Sequence, residues 1–260
     1  MNIITYNIWD LPLWFVRERD KRLQKIGTFL AGAKYDIICL QESWSLKHRG
    51  MLSAFLRDSG YHDAVHQAGI RRKNGGLLTF SKFPISSVKF IPFGRISFSV
   101  SEFLGNKGVL ETIIDTPSGK LRVCNLHLHY DPRGFFKSHS MRLRQLRKLF
   151  ASLKKESSLP TIFAGDFNED ALFAKEKFKR LLVENGIILP TKSVVFPTYR
   201  VENLFVDTWI NRTNGSKRYD YILFNEYILA ENNEPLYLEP ALSDHDPVVM
   251  KFELSPNLFL

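Results

Sequence analysis

Five short stretches carry residues able to do acid–base or phosphate chemistry. They are Asn7 after NIITY, Glu42 after DIICLQ, His127 and His129 in NLHLHY, Asp166 and Asn168 in GDFNED, and Asp244-His245-Asp246 in LSDHDP. Each lies where an apolar run ends or begins, which is where a rigid scaffold displays chemistry. Singly, each has an ordinary structural job: Asn7 as a turn residue, Glu42 as a helix N-terminal acid, Asp166 as a cap. Together they suit a phosphodiester, which needs an aligned water, a group to take its proton and cations over the charge building on the phosphoryl oxygens.

A hard divalent cation such as Mg²⁺ is held by one or two carboxylates with waters and substrate oxygens. Glu42, helped by Asn7, fits such a sparse site. Zinc fits less well, because the chain has no HExxH and Cys39 and Cys124 both sit inside apolar runs. His245 can relay a proton near neutral pH, and Asp220 in RYDYILF is a candidate to hold its other ring nitrogen. Residues two apart on a strand share a face, so His127 and His129 project together, one to meet phosphate and the other to pack or line a rim. Asp246, before Pro247, reads as the turn into the last strand.

The elements that must position these groups follow from periodicity. NIITYNI and YDIICLQE read as strands, and RDKRLQKIGTFLAG between them places Leu23, Ile26 and Leu30 at helical spacing, giving a β-α-β opening. KHRGMLSAFLRDSG reads as a helix ending at Gly60. YHDAVHQ, GGLLTFS, ISSVKFI, KGVLETIID and KLRVCNLHLH follow as strands punctuated by NGG and PSGK turns. From Ser138 an amphipathic helix sets Leu143, Leu146, Leu149 or Phe150, and Leu153 on one face, with Arg142, Arg144, Arg147 and Lys148 largely elsewhere. LPTIFAGD is a strand, ALFAKEKFKRLLVENG a helix, and RYDYILFN and DPVVMKFEL the last strands. No repeat or long linker intervenes, so one domain over residues 1–260 is expected, with sheets packed face to face and helices outside.

Composition sets the limits. The hydrophobic fraction of 44%, with 21 Phe, is ample for a core, and 24% charged residues excludes a disordered chain. Net charge of +9 favours an anionic partner, whether nucleic acid, phosphorylated metabolite or acidic lipid, though a basic face can equally be solvated surface. Two cysteines in apolar runs suggest buried thiols and a reducing compartment. No stretch reaches the length of a membrane span, and MNIITYNIWD lacks the pattern of a signal peptide. A mature chain, cytoplasmic or peripheral at a membrane surface, is the expectation, with leaderless export left open.

TYNIWDLP, CLQESW, NLHLHY, GDFNED, RYDYILF and LSDHDP, in this order over nearly the whole chain, resemble the magnesium-dependent endonuclease/exonuclease/phosphatase superfamily. Within it the likeness is greatest to neutral sphingomyelinases, on NIWDLP, QESW, GLLTFSKFPI, the HLH after the central strand and LGNKGV. The abasic-site endonuclease branch carries a Tyr where His127 stands.

The resemblance implies a DNase I-like four-layer fold: two packed mixed β-sheets flanked by helices. It implies Glu42 as principal Mg²⁺ ligand (Mn²⁺ a possible substitute) with Asn7, and Asp244 beside the site. Asp166 and Asn168 would orient the attacking water and a phosphate oxygen, His127 would contact the phosphate or leaving oxygen, and Lys107 would be an extra cation for phosphate. His245, oriented by Asp220, would be general base or phosphate contact, the choice between it and Asp166 as base staying open. The implied activity is a sphingomyelinase-like phospholipase C, with Trp14, Phe15, Phe98, Phe103, Leu104, Phe135 and Phe136 as candidates to meet lipid. A nuclease or DNA-repair phosphodiesterase using the basic runs Arg71 to Lys73 and Arg142 to Lys148 is the alternative, and a binding module without catalysis is a third reading.

Overall fold

The computed structural model describes residues 1–12, 16–64, 74–94, 106–130, 135–153, 158–170, 176–190, 196–206, 215–231 and 233–255. β1 (Asn2–Asn7) and β2 (Ile37–Gln41) run parallel, joined through helix α1 (Arg19–Gly32), the β-α-β unit expected from sequence. β4 (Leu78–Ser81) and β13 (Val248–Leu254) flank them antiparallel. β3 (His62–Ala64) pairs with β4, and β11 (Ile228–Ala230) and β12 (Glu234–Pro235) both pair with β13.

The second sheet repeats the device. β7 (Gly119–His127) and β8 (Thr161–Asp166) are parallel and joined through helix α3 (Phe135–Leu153). Its strand order is β5 (Ile85–Pro92), β6 (Gly108–Thr116), β7, β8, β10 (Asp220–Asn225), β9 (Ile187–Ile188). Of the strand read at YHDAVHQ only His62–Ala64 pairs, residues 65–73 being outside the described ones, and of the helix at ALFAKEKFKRLLVENG the described part is α4 (Glu176–Val183).

Strand alternation builds four layers. Ile3, Ile37 and Cys39 of the first sheet meet Val123, Ile162, Ala164 and Ile222 of the second. The opposite faces are covered by helices: Ile4, Tyr6 and Leu40 pack on Leu23, Ile26 and Leu30 of α1 and Leu52 of α2 (Leu46–Asp58), and Leu126 and Phe163 pack on Leu143, Leu146, Phe178 and Leu182 of α3 and α4. This is the sandwich flanked by helices that the resemblance implies. Cys39 and Cys124 are free and buried.

The same alternation leads to one edge. Thr5 and Asn7, Cys39 and Gln41, Asn125 and His127, and Ala164 and Asp166 continue the faces that look between the sheets. Parallel strands deliver their C-terminal ends to that edge, and antiparallel β10 and β13 deliver their starts.

Candidate active site

Across the second sheet His127 pairs with Asp166 and Asp166 with Asp220, so three polar residues form a row over β7, β8 and β10. In the first sheet Asn7 pairs with Gln41, and Glu42 follows in left-handed backbone at φ 57°. Asn168 also has a positive φ, 49°. Non-glycine residues at positive φ are strained, and such strain collects at functional sites. The geometry of β8 depends on Gly165: a Cβ there would lie 1.9 Å from Leu126 O on β7.

Asp166 is the hub. Its Oδ1 accepts from Asn168 N at 2.8 Å and its Oδ2 from Asn7 Nδ2 at 3.1 Å. Oδ2 also lies 3.5 Å from His127 Nε2 and 3.9 Å from His245 Nε2. Asn7 Nδ2 reaches Glu42 Oε1 at 3.3 Å, so both carboxylates rest on one amide nitrogen. The oxygen of that amide faces the Trp9 N–H, 3.1 Å away. His245 Nδ1 is 2.7 Å from Asp220 Oδ2. Lys107 Nζ lies 3.0 Å from His127 Nε2 and donates to Leu128 O at 2.9 Å, the carbonyl that also takes Asn168 Nδ2 at 3.2 Å. Ser243 Oγ donates to Asn7 O at 2.7 Å and lies 3.2 Å from Asp244 Oδ1. The residues singled out in sequence for the chemistry therefore converge, and His129 is the buried, packing member of its pair. β7 ends at His127, and the backbone of His129 turns to α3: its N–H donates to Gln145 and its carbonyl accepts from Arg142.

Crowded charge marks the place. Burial first, then the neighbouring Asp244, push the Glu42 carboxyl up to about 7, against the pull of Lys107 and His245. Burial lifts Asp166 to about 6, opposed by His245 and assisted by Asp220. Asp244 is also raised, chiefly by burial. Burial opposes charge on His245, but Asp220, Asp166 and Asp244 outweigh it and hold the ring well above its usual value. His127 is lowered, by burial and then by Lys107 and His245, and so is neutral.

The donors suit a hard cation. Among the described residues Glu42 Oε2 is buried without a partner, as is Asp220 Oδ1, and a buried unpaired carboxylate oxygen is costly unless something positive meets it. Among the described residues, donor atoms of Asp166, Asp220 and His245 also lie within 4.8 Å of one another. There His245 Nδ1 and Asp220 already share a hydrogen bond, so that trio is a positioned imidazole first, and the open oxygen of Glu42 is the better anchor for a cation.

Supports that sequence reasoning missed lie one layer away. Gln41 Nε2 spans the sheets to Asn125 Oδ1 at 2.8 Å and to Thr5 Oγ1 at 2.9 Å. Arg22, buried on α1, donates to Ile8 O, Trp9 O, Arg17 O and Leu242 O, joining the loops that carry Asn7 and Asp244. A charged residue on the apolar face of α1 and amides inside apolar strands were the available signals. Asp246 is more than the expected turn: buried, it holds Arg200 Nε at 2.6 Å, while Tyr199 packs edge-on to His245 at 5.4 Å. Trp14, Phe15, Phe98, Phe103, Leu104, the side chains of Phe135 and Phe136, and Arg71 to Lys73 lie outside the described residues.

Residues 4–245 match the model of the Endonuclease/Exonuclease/phosphatase family, and the chain belongs to that family. It is 30% identical over 275 residues to a Drosophila melanogaster protein named "Putative neutral sphingomyelinase", covering 98% of this chain and 61% of that one. It is 33% identical over 210 residues to the "Inositol phosphosphingolipids phospholipase C" of Schizosaccharomyces pombe, covering 76% of this chain and 47% of that one. The chain thus spans between about half and three-fifths of these relatives. A mutant beta toxin of Staphylococcus aureus with bound magnesium ions superposes with TM-score 0.72 at 17% identity over 98% of this chain and 99% of that one. D. rerio TDP2 complexed with single strand DNA product superposes with TM-score 0.73 at 16% identity over 97% and 98%. The fold is the DNase I-like one.

Proposed function

We propose that the chain is a divalent-metal-dependent phosphodiesterase of the phospholipase C type, cleaving a phosphosphingolipid such as sphingomyelin into a ceramide and a phosphorylated headgroup. The observation that carries the reading is the convergence on Asp166 of Asn7, His127 and His245, with Glu42 beside it holding a buried unpartnered oxygen. The named relatives favour a sphingolipid over other diesters. Glu42, assisted by Asn7 and Asp244, would hold Mg²⁺ or Mn²⁺, which when bound offsets charge on the phosphoryl oxygens; a magnesium-bearing neighbour of the same fold supports that choice.

The chain's own residues divide the remaining work. Asp166, oriented by Asn168 N–H and lifted to about 6, is matched to take the proton of an attacking water near neutral pH. His245, kept protonated by its three carboxylate neighbours and aimed by Asp220, binds a phosphoryl oxygen as a cation. Neutral His127 and Asn168 contact the phosphate, and Lys107 adds a second positive charge beside His127. Water oxygen bonds to phosphorus as Asp166 takes its proton, the bond to the ceramide oxygen breaks, and that oxygen takes up a proton from solvent while Asp166 returns its own to solvent.

The enzyme would meet its substrate peripherally at a membrane surface; among the described residues no helix is long and apolar enough to cross one. The test is release of phosphorylated headgroup from sphingomyelin and inositol phosphosphingolipid vesicles, with Mg²⁺ against EDTA, in wild type and His245→Ala. Turnover of DNA with none of either lipid would replace this reading by the nuclease one, which the net charge of +9 supports.

A further inference from the structure

Away from the active site, an open groove of about 600 Å³ lies between α3 and α4. Ser140, Arg144 and Arg147, spaced i, i+4 and i+7 on α3, form one wall, and Glu176 and Lys177 on the first turn of α4 form the other. His139 and Leu143 are its buried lining.

The charge in this groove is uncompensated. Two other basic residues of α3 are engaged: Arg142 holds Glu169 at 2.6 Å and Lys148 donates to Pro92 O at 2.7 Å. Arg144, Arg147 and Lys177 have no hydrogen bond or ion pair among the described residues, and Glu176 is the one carboxylate among the described residues of the lining. Arg144 and Arg147 stand one helical turn apart and both are exposed, and like charges at that spacing disfavour the helix by a small amount. His139 uses Nδ1 on Glu169, at 2.9 and 3.0 Å to its two oxygens, and its Nε2 is buried without a partner. Two guanidinium forks, an ammonium and a hydroxyl make a donor set for phosphate, which arginine binds bidentately. Three cations against one carboxylate match a dianion.

We propose that the α3–α4 groove is a second phosphate-binding site, separate from the catalytic one, that takes a dianionic phosphomonoester or diphosphate group. The proposal is independent of which diester the active site cuts. Its floor is tied to both catalytic loops, since Glu169 lies three residues after Asp166 and Arg142 also donates to His129 O, two residues after His127.

The test uses the full chain carrying His127→Ala and His245→Ala, in EDTA, so that the active site does not compete. Calorimetric titration with pyrophosphate is expected to show one saturable site. Its affinity should fall tenfold or more with Arg144→Ala, Arg147→Ala and Lys177→Ala together, and stay within twofold with the exposed Lys25→Ala, Lys34→Ala and Lys89→Ala. Circular dichroism verifies folding, and single Arg144→Gln and Arg147→Gln variants give a graded loss should the triple one unfold. Phosphatidic-acid vesicles form a second arm. Vesicle binding displaced by pyrophosphate and lost in the groove variants assigns the phosphate to a lipid headgroup, whereas pyrophosphate binding alone assigns it to a soluble ester. No saturable site, or equal loss with the control lysines, overturns the proposal.

Discussion

His245 Nδ1 sits 2.7 Å from Asp220 Oδ2, which leaves Nε2 facing the Asp166 carboxylate across 3.9 Å. A buried carboxylate on one nitrogen fixes both the direction and the protonation of the ring. Asp220→Asn keeps the shape and removes the charge, so His245 loses the largest of the influences that raise it. The expected result is a fall in kcat of about 10²- to 10⁴-fold, as for orienting carboxylates of this kind, with a pH–rate profile whose His245-dependent limb moves to lower pH. An unchanged profile would reduce Asp220 to a packing role.

Glu42 and Asp166, raised to about 7 and about 6, link stability to pH. A carboxyl whose folded value exceeds its unfolded one stabilises below the unfolded value and loses that contribution as pH rises through the folded value. Cation-free protein should therefore lose melting temperature from roughly pH 4 to pH 7. Added Mg²⁺ should raise Tm more at about pH 8 than at about pH 5, because its ligands must be deprotonated. In Glu42→Gln the decline with pH should be shallower and the Mg²⁺ increment small. A pH-independent Mg²⁺ effect would place the cation elsewhere.

The parts that could be read in advance were those written in local pattern. Alternation in NIITYN and the continuous apolar run of IICLQ marked strands at whose ends Asn7 and Glu42 emerge at one edge, and the charges in GDFN and SDH stood out against apolar surroundings. What stayed hidden depends on contacts between distant segments. Arg200 meets Asp246 across 46 residues, and Arg22 meets Leu242 O across 220; neither partner is marked by spacing. For His127 and His129 the sequence left open which would meet phosphate; β7 stops at His127, and His129, one of the pair expected to pack or line a rim, is buried beyond it.

The Arg200–Asp246 pair braces the loop that carries His245. Asp246 is 2% exposed and its N–H donates to Thr198 O at 2.7 Å, while Thr198 Oγ1 accepts from the N–H groups of Tyr219 and Asp220. Arg200→Met strands a buried carboxylate, which should cost about 3 kcal/mol of stability in a denaturant melt. Because the same segment carries Tyr199 against the His245 ring, kcat should fall while KM changes little. Arg200→Lys, which keeps charge but loses the fork, should recover part of the stability. A variant with full kcat and lowered stability would confine the pair to folding.

Gly165 is the residue on which the row of three depends. It pairs with Leu126 in the β7–β8 register at φ 150°, and a Cβ would stand 1.9 Å from the Leu126 carbonyl oxygen. That oxygen is backbone of a central strand and cannot swing aside, so Gly165→Ala must separate β7 from β8 next to the His127–Asp166 pair. The substitution should cost more than about 4 kcal/mol, the range reserved for changes that break a core register, and be read as insoluble or molten protein. Any fraction recovered folded should show activity reduced as deeply as in a His127 variant, since the strand separation moves His127 from Asp166. Gly165→Ala protein with wild-type melting and activity would show that these two strands do not need their close approach.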